Sequence, residues 1–97
     1  MKIKDVKPGM ENITLTVRVV SVSKPRKVIT RYGEALVANA IVADETGEII
    51  LNLWRGQINL VKPGYIIRIE NAFARQFKDR IELNVGSRGR IIVVKKR

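Results

Sequence analysis

The sequence contains no cysteine and no histidine among its 97 residues. Without cysteine there is no disulfide framework, no thiolate nucleophile and no cysteine zinc site. Without histidine, a His-based catalytic triad and imidazole metal ligation are excluded as well. The length allows one domain with one modest core, so a two-domain enzyme with separate cofactor and substrate folds does not fit.

Acidic residues are also scarce, since nine Asp and Glu face 19 Lys and Arg, which gives a net charge of +10. This balance predicts attraction to polyanions, with nucleic acid first and anionic membrane second. The alternative is a charged solubility coat of the kind that thermophile proteins carry. The sequence has no Asp-x-Asp metal pair, no Gly-rich phosphate loop and no serine-nucleophile motif. We therefore expect no enzyme activity, no cofactor and no metal.

Long apolar runs are missing too. The longest uncharged, mainly apolar stretch near the middle, residues 35–43, is far shorter than a membrane span. The first five residues include three charged ones and are followed by no apolar segment of the kind that a secretory signal requires. We expect a soluble, cytoplasmic protein.

β-Branched residues are abundant, because Ile occurs 13 times and Val 12 times against six Leu. Such side chains fit a pleated surface and favour strands. Alternating residues 13–19 predict a first strand, and the later shift of the apolar phase to Val20 and Val22 predicts a bulge or a bend. A strand end that is buried on both faces would give the same shift. Further strands are predicted at residues 36–43, 49–54, 65–73 and 80–85, followed by a final short strand at residues 90–94.

Connections between these strands carry turn signals. Residues 6–9 and 61–64 are the same tetrapeptide, Val-Lys-Pro-Gly, which predicts a type II turn before a strand. Residues 44–47 predict a hairpin turn. One turn of helix is expected at Arg55–Leu60, and residues 74–79 are expected to form a polar connector.

Five main strands, a bent first strand, a short link between strands three and four and no long helix predict an all-β protein with a small closed barrel. The leading candidate is the five-stranded OB-fold, a Greek-key barrel whose second and third strands and two loops form the ligand face. An SH3-like barrel or a small sandwich fits the same pattern. We expect residues 1–97 to form this single domain.

The only tryptophan, Trp54, lies on the opposite face of its strand from Ile49, Leu51 and Leu53. Because those three already fill the inward positions, the alternation predicts that Trp54 is partly exposed. An exposed indole on a half-polar face is a stacking platform for a base. The alternative is a core tryptophan, which is common in small domains.

Two phenylalanines, Phe73 and Phe77, are interleaved with Arg75, Lys78 and Arg80. In a hairpin between strands four and five, both rings would stand near the ligand face. There the rings would take unstacked bases while the cations contact phosphates. The spacing of four also fits one face of a short helix with both rings in the core.

A basic stretch precedes the second strand. Residues 23–34 hold four cations against a single acid, Glu34. The apolar pair Val28 and Ile29 inside this stretch predicts a short strand or a hairpin arm.

Several segments together resemble the archaeal single-stranded DNA-binding proteins that consist of one OB-fold related to the domains of eukaryotic replication protein A. The resemblance runs from about residue 6 to residue 90, and its most specific parts are IVADETG at 41–47, LNLW at 51–54, IENAF at 69–73, FK at 77–78 and LNVGS at 83–87. It implies that three aromatics stack bases, and these map onto Trp54, Phe73 and Phe77. The resemblance also implies a basic first loop at Arg26 and Ile29 and a cation at Lys78.

Two features depart from that family. Phe73 stands where the family often has tryptophan, which predicts weaker stacking at this position. The sequence ends at Lys95-Lys96-Arg97, whereas the family commonly continues into a Gly-rich tail with an acidic end that recruits partners. Either this member lacks the tail or the sequence was cut before it, so protein partners are left open.

The residues and the resemblance together predict non-catalytic, largely sequence-independent binding of single-stranded DNA in replication, repair and recombination, with the protein associated with the nucleoid. The candidate nucleic-acid-binding residues are Trp54, Phe73, Phe77, Lys78, Arg26, Lys27, Ile29, Arg80, Arg31 and Arg55. The alternatives are an RNA-binding OB module, because stacking does not separate DNA from RNA, and a protein-interaction OB adaptor in a replication or telomere-like assembly. Site size and oligomeric state are left open.

Overall fold

The computed structural model describes residues 1–96, so Arg97 of the basic end lies outside the described residues. These residues form two short 3-10 helices, Ile3–Asp5 and Arg55–Leu60, and seven strands. None of the helices in this part of the chain is long and apolar enough to cross a membrane. The strands are β1 (Ile13–Val22), β2 (Arg26–Thr30), β3 (Gly33–Asp44), β4 (Gly47–Trp54), β5 (Tyr65–Phe77), β6 (Arg80–Asn84) and β7 (Arg90–Lys96).

Five of the strands close a ring. β1 pairs with β3, β3 with β4, β4 with β6, β6 with β5, and β5 pairs back with β1. All of these pairs are antiparallel except β4–β6, which is parallel. β2 extends the ring as a hairpin with β3, and β7 pairs with β5. This connectivity confirms the predicted all-β OB-fold architecture.

The interior of the ring is filled by the inward residues of each strand. In β1 the predicted alternation holds, because Ile13, Leu15, Val17 and Val19 are buried and the residues between them are exposed. The other strands contribute the remaining large, fully buried side chains, namely Val42, Leu51, Leu53, Ile67, Ile69 and Leu83. Burial of this apolar area is the main stabilising contribution to the fold.

The predicted bulge in β1 is confirmed. The pairing of β1 with β3 shifts between Val19 and Ser21, which leaves Val20 as the extra residue. Before the bulge β1 pairs with β5, and around and after it β1 pairs with β3. The bend therefore lets one strand join two sides of the ring.

Both Lys-Pro-Gly turns have the predicted geometry. The amide of Met10 donates to the carbonyl of Lys7 over 3.2 Å, and the amide of Tyr65 donates to the carbonyl of Lys62 over 3.1 Å. Gly9 has a φ of 86° and Gly64 a φ of 94°, the positive value that the third residue of a type II turn requires.

The predicted polar connector at residues 74–79 is wrong. β5 continues to Phe77, and only Lys78 and Asp79 form the turn to β6. Ala74 is buried in the core, while Arg75 and Phe77 project to the opposite face, so the segment alternates as a strand does. The prediction failed because most residues of this segment are polar. β5 is thus long enough to pair with three strands.

Candidate nucleic-acid interface

A groove crosses one face of the ring, between the β2–β3 hairpin and the β5–β6 hairpin. It consists of two adjoining depressions of about 480 and 580 Å³, which share Trp54, Arg75 and Asn84. Four arginines line it, together with the three aromatics that the sequence analysis selected. The four arginines are Arg26, Arg55, Arg75 and Arg80.

Strand alternation and register bring these residues together. In β4 the residues Leu51 and Leu53 point into the core, so Asn52 and Trp54 point into the groove. Across the β5–β6 pair, Phe73 is opposite Asn84 and Phe77 is opposite Arg80. Trp54 and Phe73 are therefore held by strands whose opposite faces are buried at these positions, which fixes the spacing of their rings.

Trp54 is half-buried, so the prediction that it is partly exposed is confirmed. Its indole Nε1 donates to Oδ1 of Asn84 over 3.3 Å. Its backbone amide donates to Oε1 of Gln57 over 2.9 Å, and Nε2 of Gln57 donates to the carbonyl of Val85 over 3.0 Å. Gln57 therefore ties the end of β4 to the chain segment that follows β6.

The two phenylalanines lie on the same face of β5, with Arg75 between them, so the alternative of a short helix is wrong. Phe73 is half-buried and Phe77 is 49% exposed. The guanidinium of Arg75 lies 5.1 Å from the centroid of the Phe73 ring. The Lys78 ammonium and the Arg80 guanidinium each lie 5.6 Å from the centroid of Phe77, within range of a cation–π interaction.

The basic first loop is a strand. Arg26 and Ile29 of β2 line the groove, and the Ile29 side chain is 87% exposed. Strand alternation puts Val28, which also lines the groove, on the same side of β2 as Arg26.

Three of the ten candidate residues do not line the groove. Lys27 is exposed on β2, and Arg31 is exposed in the β2–β3 turn. Lys78 lies in the β5–β6 turn beside Phe77. The structure thus brings seven candidates together, and Lys78 stands beside them at one end.

A row of hydrogen-bonded side chains crosses the groove floor, and we call it the polar chain. Nη1 of Arg26 donates to Oδ1 of Asn39 over 2.8 Å, and Nδ2 of Asn39 donates to Oδ1 of Asn52 over 2.6 Å. Nδ2 of Asn52 then donates to Oε1 of Glu82 over 2.9 Å, and Nε of Arg80 donates to Oε2 of Glu82 over 2.8 Å. The polar chain links four strands and ends in an arginine on each side.

Sequence reasoning missed most of this chain. Glu82 was not selected; it forms an ion pair with Arg80 and is only 7% exposed. Asn39 and Asn84 were not selected, although each occupies an outward position of a strand. The available signal was three asparagines at outward positions of neighbouring strands, because β3, β4 and β6 place Asn39, Asn52 and Asn84 side by side.

Among residues 1–96, no group of three acidic side chains is arranged to hold a metal ion. The chemistry of the groove is that of aromatic surfaces, guanidinium groups and a fixed row of amides. Such an arrangement can stack planar rings and attract anions.

Comparison with known families identifies the chain. The family described as single-stranded DNA binding protein Ssb-like, OB fold, matches residues 6–93. The chain belongs to this Ssb-like OB-fold family. The prediction of an archaeal, replication protein A-like relative is confirmed at this level.

Individual relatives agree with the family. The chain is 40% identical over 90 residues to the single-stranded DNA binding protein Ssb of Saccharolobus solfataricus, a match that covers 93% of this chain and 61% of that protein. The chain therefore spans about three fifths of the length of this relative.

Solved structures show the same fold. The replication factor A related protein from Methanobacterium thermoautotrophicum has a TM-score of 0.80 at 34% identity, over 97% of this chain and 89% of that one. The OB domain of Ta0387 from Thermoplasma acidophilum has a TM-score of 0.85 at 22% identity, over 100% of this chain and 88% of that one. The second likeness shows the fold alone.

Proposed function

We propose that this Ssb-like chain binds single-stranded DNA without catalysis and largely without sequence preference. The observation that carries the proposal is the row of partly exposed rings, Trp54, Phe73 and Phe77, along one groove lined with arginines. Stacking tolerates any base because every base has a π-face, and the cations attract the phosphates.

All of the candidate residues except Ile29 have a stated role in this proposal. Trp54 and Phe73 floor one end of the groove, and Phe77 stands at the other, where Lys78 and Arg80 lie over its ring. Arg26 contacts the phosphate backbone of the bound DNA from the side of the groove that β2 forms. Lys27, Arg31 and Arg55 add to the positive potential around the groove rather than fixing individual bases.

The biological setting follows from the relatives. One is an archaeal single-stranded DNA-binding protein and another a replication factor A related protein, which supports a place in DNA replication. Roles in repair and recombination belong to the same proposal. So does the assignment of residues 1–97 to a single nucleic-acid-binding domain, which the family match over 6–93 supports.

A titration of the intrinsic fluorescence of Trp54 tests the proposal. Because Trp54 is the only tryptophan, quenching on addition of oligo-dT reports on the groove. We expect saturable quenching with oligo-dT and much weaker binding of duplex DNA. An oligo-U titration of equal strength would favour the RNA-binding alternative, and no response to either oligonucleotide would favour the protein adaptor.

A further inference from the structure

The groove holds a single carboxylate. Among the described residues that line it, Glu82 is the only acidic one, against four arginines. Its side chain is 10% exposed, so it belongs to the floor rather than the rim. A negative charge in the floor repels the same phosphates that the surrounding cations attract.

Glu82 is held in place from two sides. Oε1 accepts from Asn52, whose own oxygen is bound by Asn39, and Oε2 accepts from Arg80, which lies over the Phe77 ring. Because both donors are fixed by further contacts, the carboxylate has a defined position in the polar chain. The Arg80 side chain is half-exposed, so solvent weakens the charge that it offers to Glu82.

The cations and the carboxylate of the polar chain differ in depth, although Glu82 is ion-paired with Arg80. The cations at the two ends of the polar chain, Arg26 and Arg80, are exposed, whereas Glu82 and Asn52 between them are buried. A phosphate is therefore attracted by the exposed guanidinium groups, which include Arg75 opposite Glu82 in the strand register, and repelled by the carboxylate beneath them. A neutral base meets no such penalty over Glu82 and gains contact with the neighbouring rings.

We propose that Glu82 is a specificity-determining residue that keeps phosphates at the rim and directs bases toward the floor. This inference rests on the proposed binding of single-stranded DNA and adds selection against polyanions that lack bases. The carboxylate lowers the total attraction of the groove for phosphate. The groove therefore favours DNA strands whose bases can enter it.

Oligo-dT and an abasic oligonucleotide of equal length test this inference. Affinities for both are measured by fluorescence anisotropy with labelled oligonucleotides, for the unmodified protein and for Glu82→Gln. Removing a unit charge a few ångströms from a phosphate is expected to raise abasic affinity roughly three- to tenfold. Affinity for oligo-dT should rise less, so the ratio of the oligo-dT affinity to the abasic affinity should fall.

Glu70→Gln is the matched control. It removes the same charge from a carboxylate that is paired with Arg68 and Arg90 and that does not line the groove. We expect Glu70→Gln to change both affinities by the same factor and to leave the ratio unchanged. Glu82→Asp, which keeps the charge, should keep the ratio as well.

Thermal melting establishes that each variant is folded, and Glu82→Met is a second way to remove the charge if the glutamine variant unfolds. A ratio that changes no more in the uncharged variants than in Glu70→Gln would overturn the inference. A fall of the ratio in Glu82→Asp would also overturn it, because the effect would then depend on the shape of the side chain and not on its charge. Failure of the unmodified protein to bind oligo-dT would instead overturn the proposed function itself.

Discussion

At the scale of single residues, Trp54 shows how the fold presents an aromatic ring without unsatisfied polar groups. Its indole N–H is bound by Asn84 and its backbone amide by Gln57, while the side chain is only half-buried. The ring can therefore contact a ligand with no hydrogen bond being broken. This arrangement keeps the cost of reorganisation on binding low.

Trp54→Ala is expected to leave the protein folded and to weaken binding of single-stranded DNA by about 1–3 kcal/mol, as for other stacking residues. The binding is measured by anisotropy of a labelled oligonucleotide, because the variant has no tryptophan fluorescence. Trp54→Phe, which keeps an aromatic face, should recover part of the loss. A large drop in melting temperature with normal binding by the folded protein would show that Trp54 stabilises the core and does not bind DNA.

Phe77 and Lys78 are neighbours with different expected signatures. Phe77→Ala should weaken binding by about 1–3 kcal/mol with an unchanged salt dependence, because stacking involves no counterion. Lys78→Ala should reduce the slope of log K against log salt by about 0.7, which corresponds to one phosphate contact. Lys78 has a φ of 57°, a left-handed backbone conformation that is about equally unfavourable for lysine and alanine. The substitution therefore reports on the charge of the side chain.

Titrations of both variants across a salt series measure these signatures. If Phe77→Ala changes the slope and Lys78→Ala does not, the assignment of stacking to the ring and phosphate contact to the cation is wrong.

At the scale of elements, the turn between β6 and β7 closes tightly onto β5. A Cβ atom at Gly89 would lie 2.7 Å from the carbonyl oxygens of both Glu70 and Asn71. Because these are backbone atoms of a paired strand, they cannot move aside without loss of strand pairing. The turn that carries Gly86 and Ser87 to the groove thus depends on this close approach.

Gly89→Ala is therefore expected to destabilise the protein by about 1–3 kcal/mol, the usual cost of overpacking. Gly86→Ala in the same turn is the control, since its Cβ would lie 3.5 Å from Cε1 of Phe73, an ordinary contact. Thermal or urea unfolding of the two variants gives the comparison. Equal stability of the two would contradict the close packing of this turn.

Glu70 links β5 to β7. The hydrogen bond from Arg90, partly opposed by desolvation and aided by the charges of Arg90 and Arg68, lowers the pKa of Glu70 below its ordinary value of 4.5. A lowered folded pKa means that this link stabilises the protein fully above the unfolded pKa. The contribution is lost as the pH falls through the folded pKa.

The melting temperature of the unmodified protein relative to Glu70→Gln should therefore be higher at neutral pH, with the difference shrinking toward zero well below pH 4.5. Because Glu70 is exposed in part and its partners are at the surface, the difference should be small. A difference that grows as the pH falls would contradict the direction of the shift.

β1 could be predicted because its apolar and polar residues alternate, so that buried and exposed residues follow one another. The end of β5 could not, because Ala74 is the one small core residue in a polar segment and gives too weak an apolar signal. The rings of Trp54, Phe73 and Phe77 were found through the residues around them. The polar chain was missed because it depends on register between β3, β4 and β6, which the sequence of one strand does not contain.

At the scale of the whole molecule, the net charge of +10 gives long-range attraction to any polyanion, and in the function that we propose the groove adds the selection of single strands. Stacked bases in a duplex cannot reach the rings, whereas the bases of a single strand can. If about four phosphates are neutralised, the slope of log K against log salt should be roughly −3 on single strands.

A paired titration of oligo-dT and a duplex of equal length across a salt series tests the central claim most directly. The account predicts tight binding of the single strand with a slope of roughly −3, and duplex binding that is far weaker at every salt concentration. Equal affinity for the duplex and the single strand at moderate salt would contradict it, because the protein would then bind nucleic acid through its charge and not through the groove.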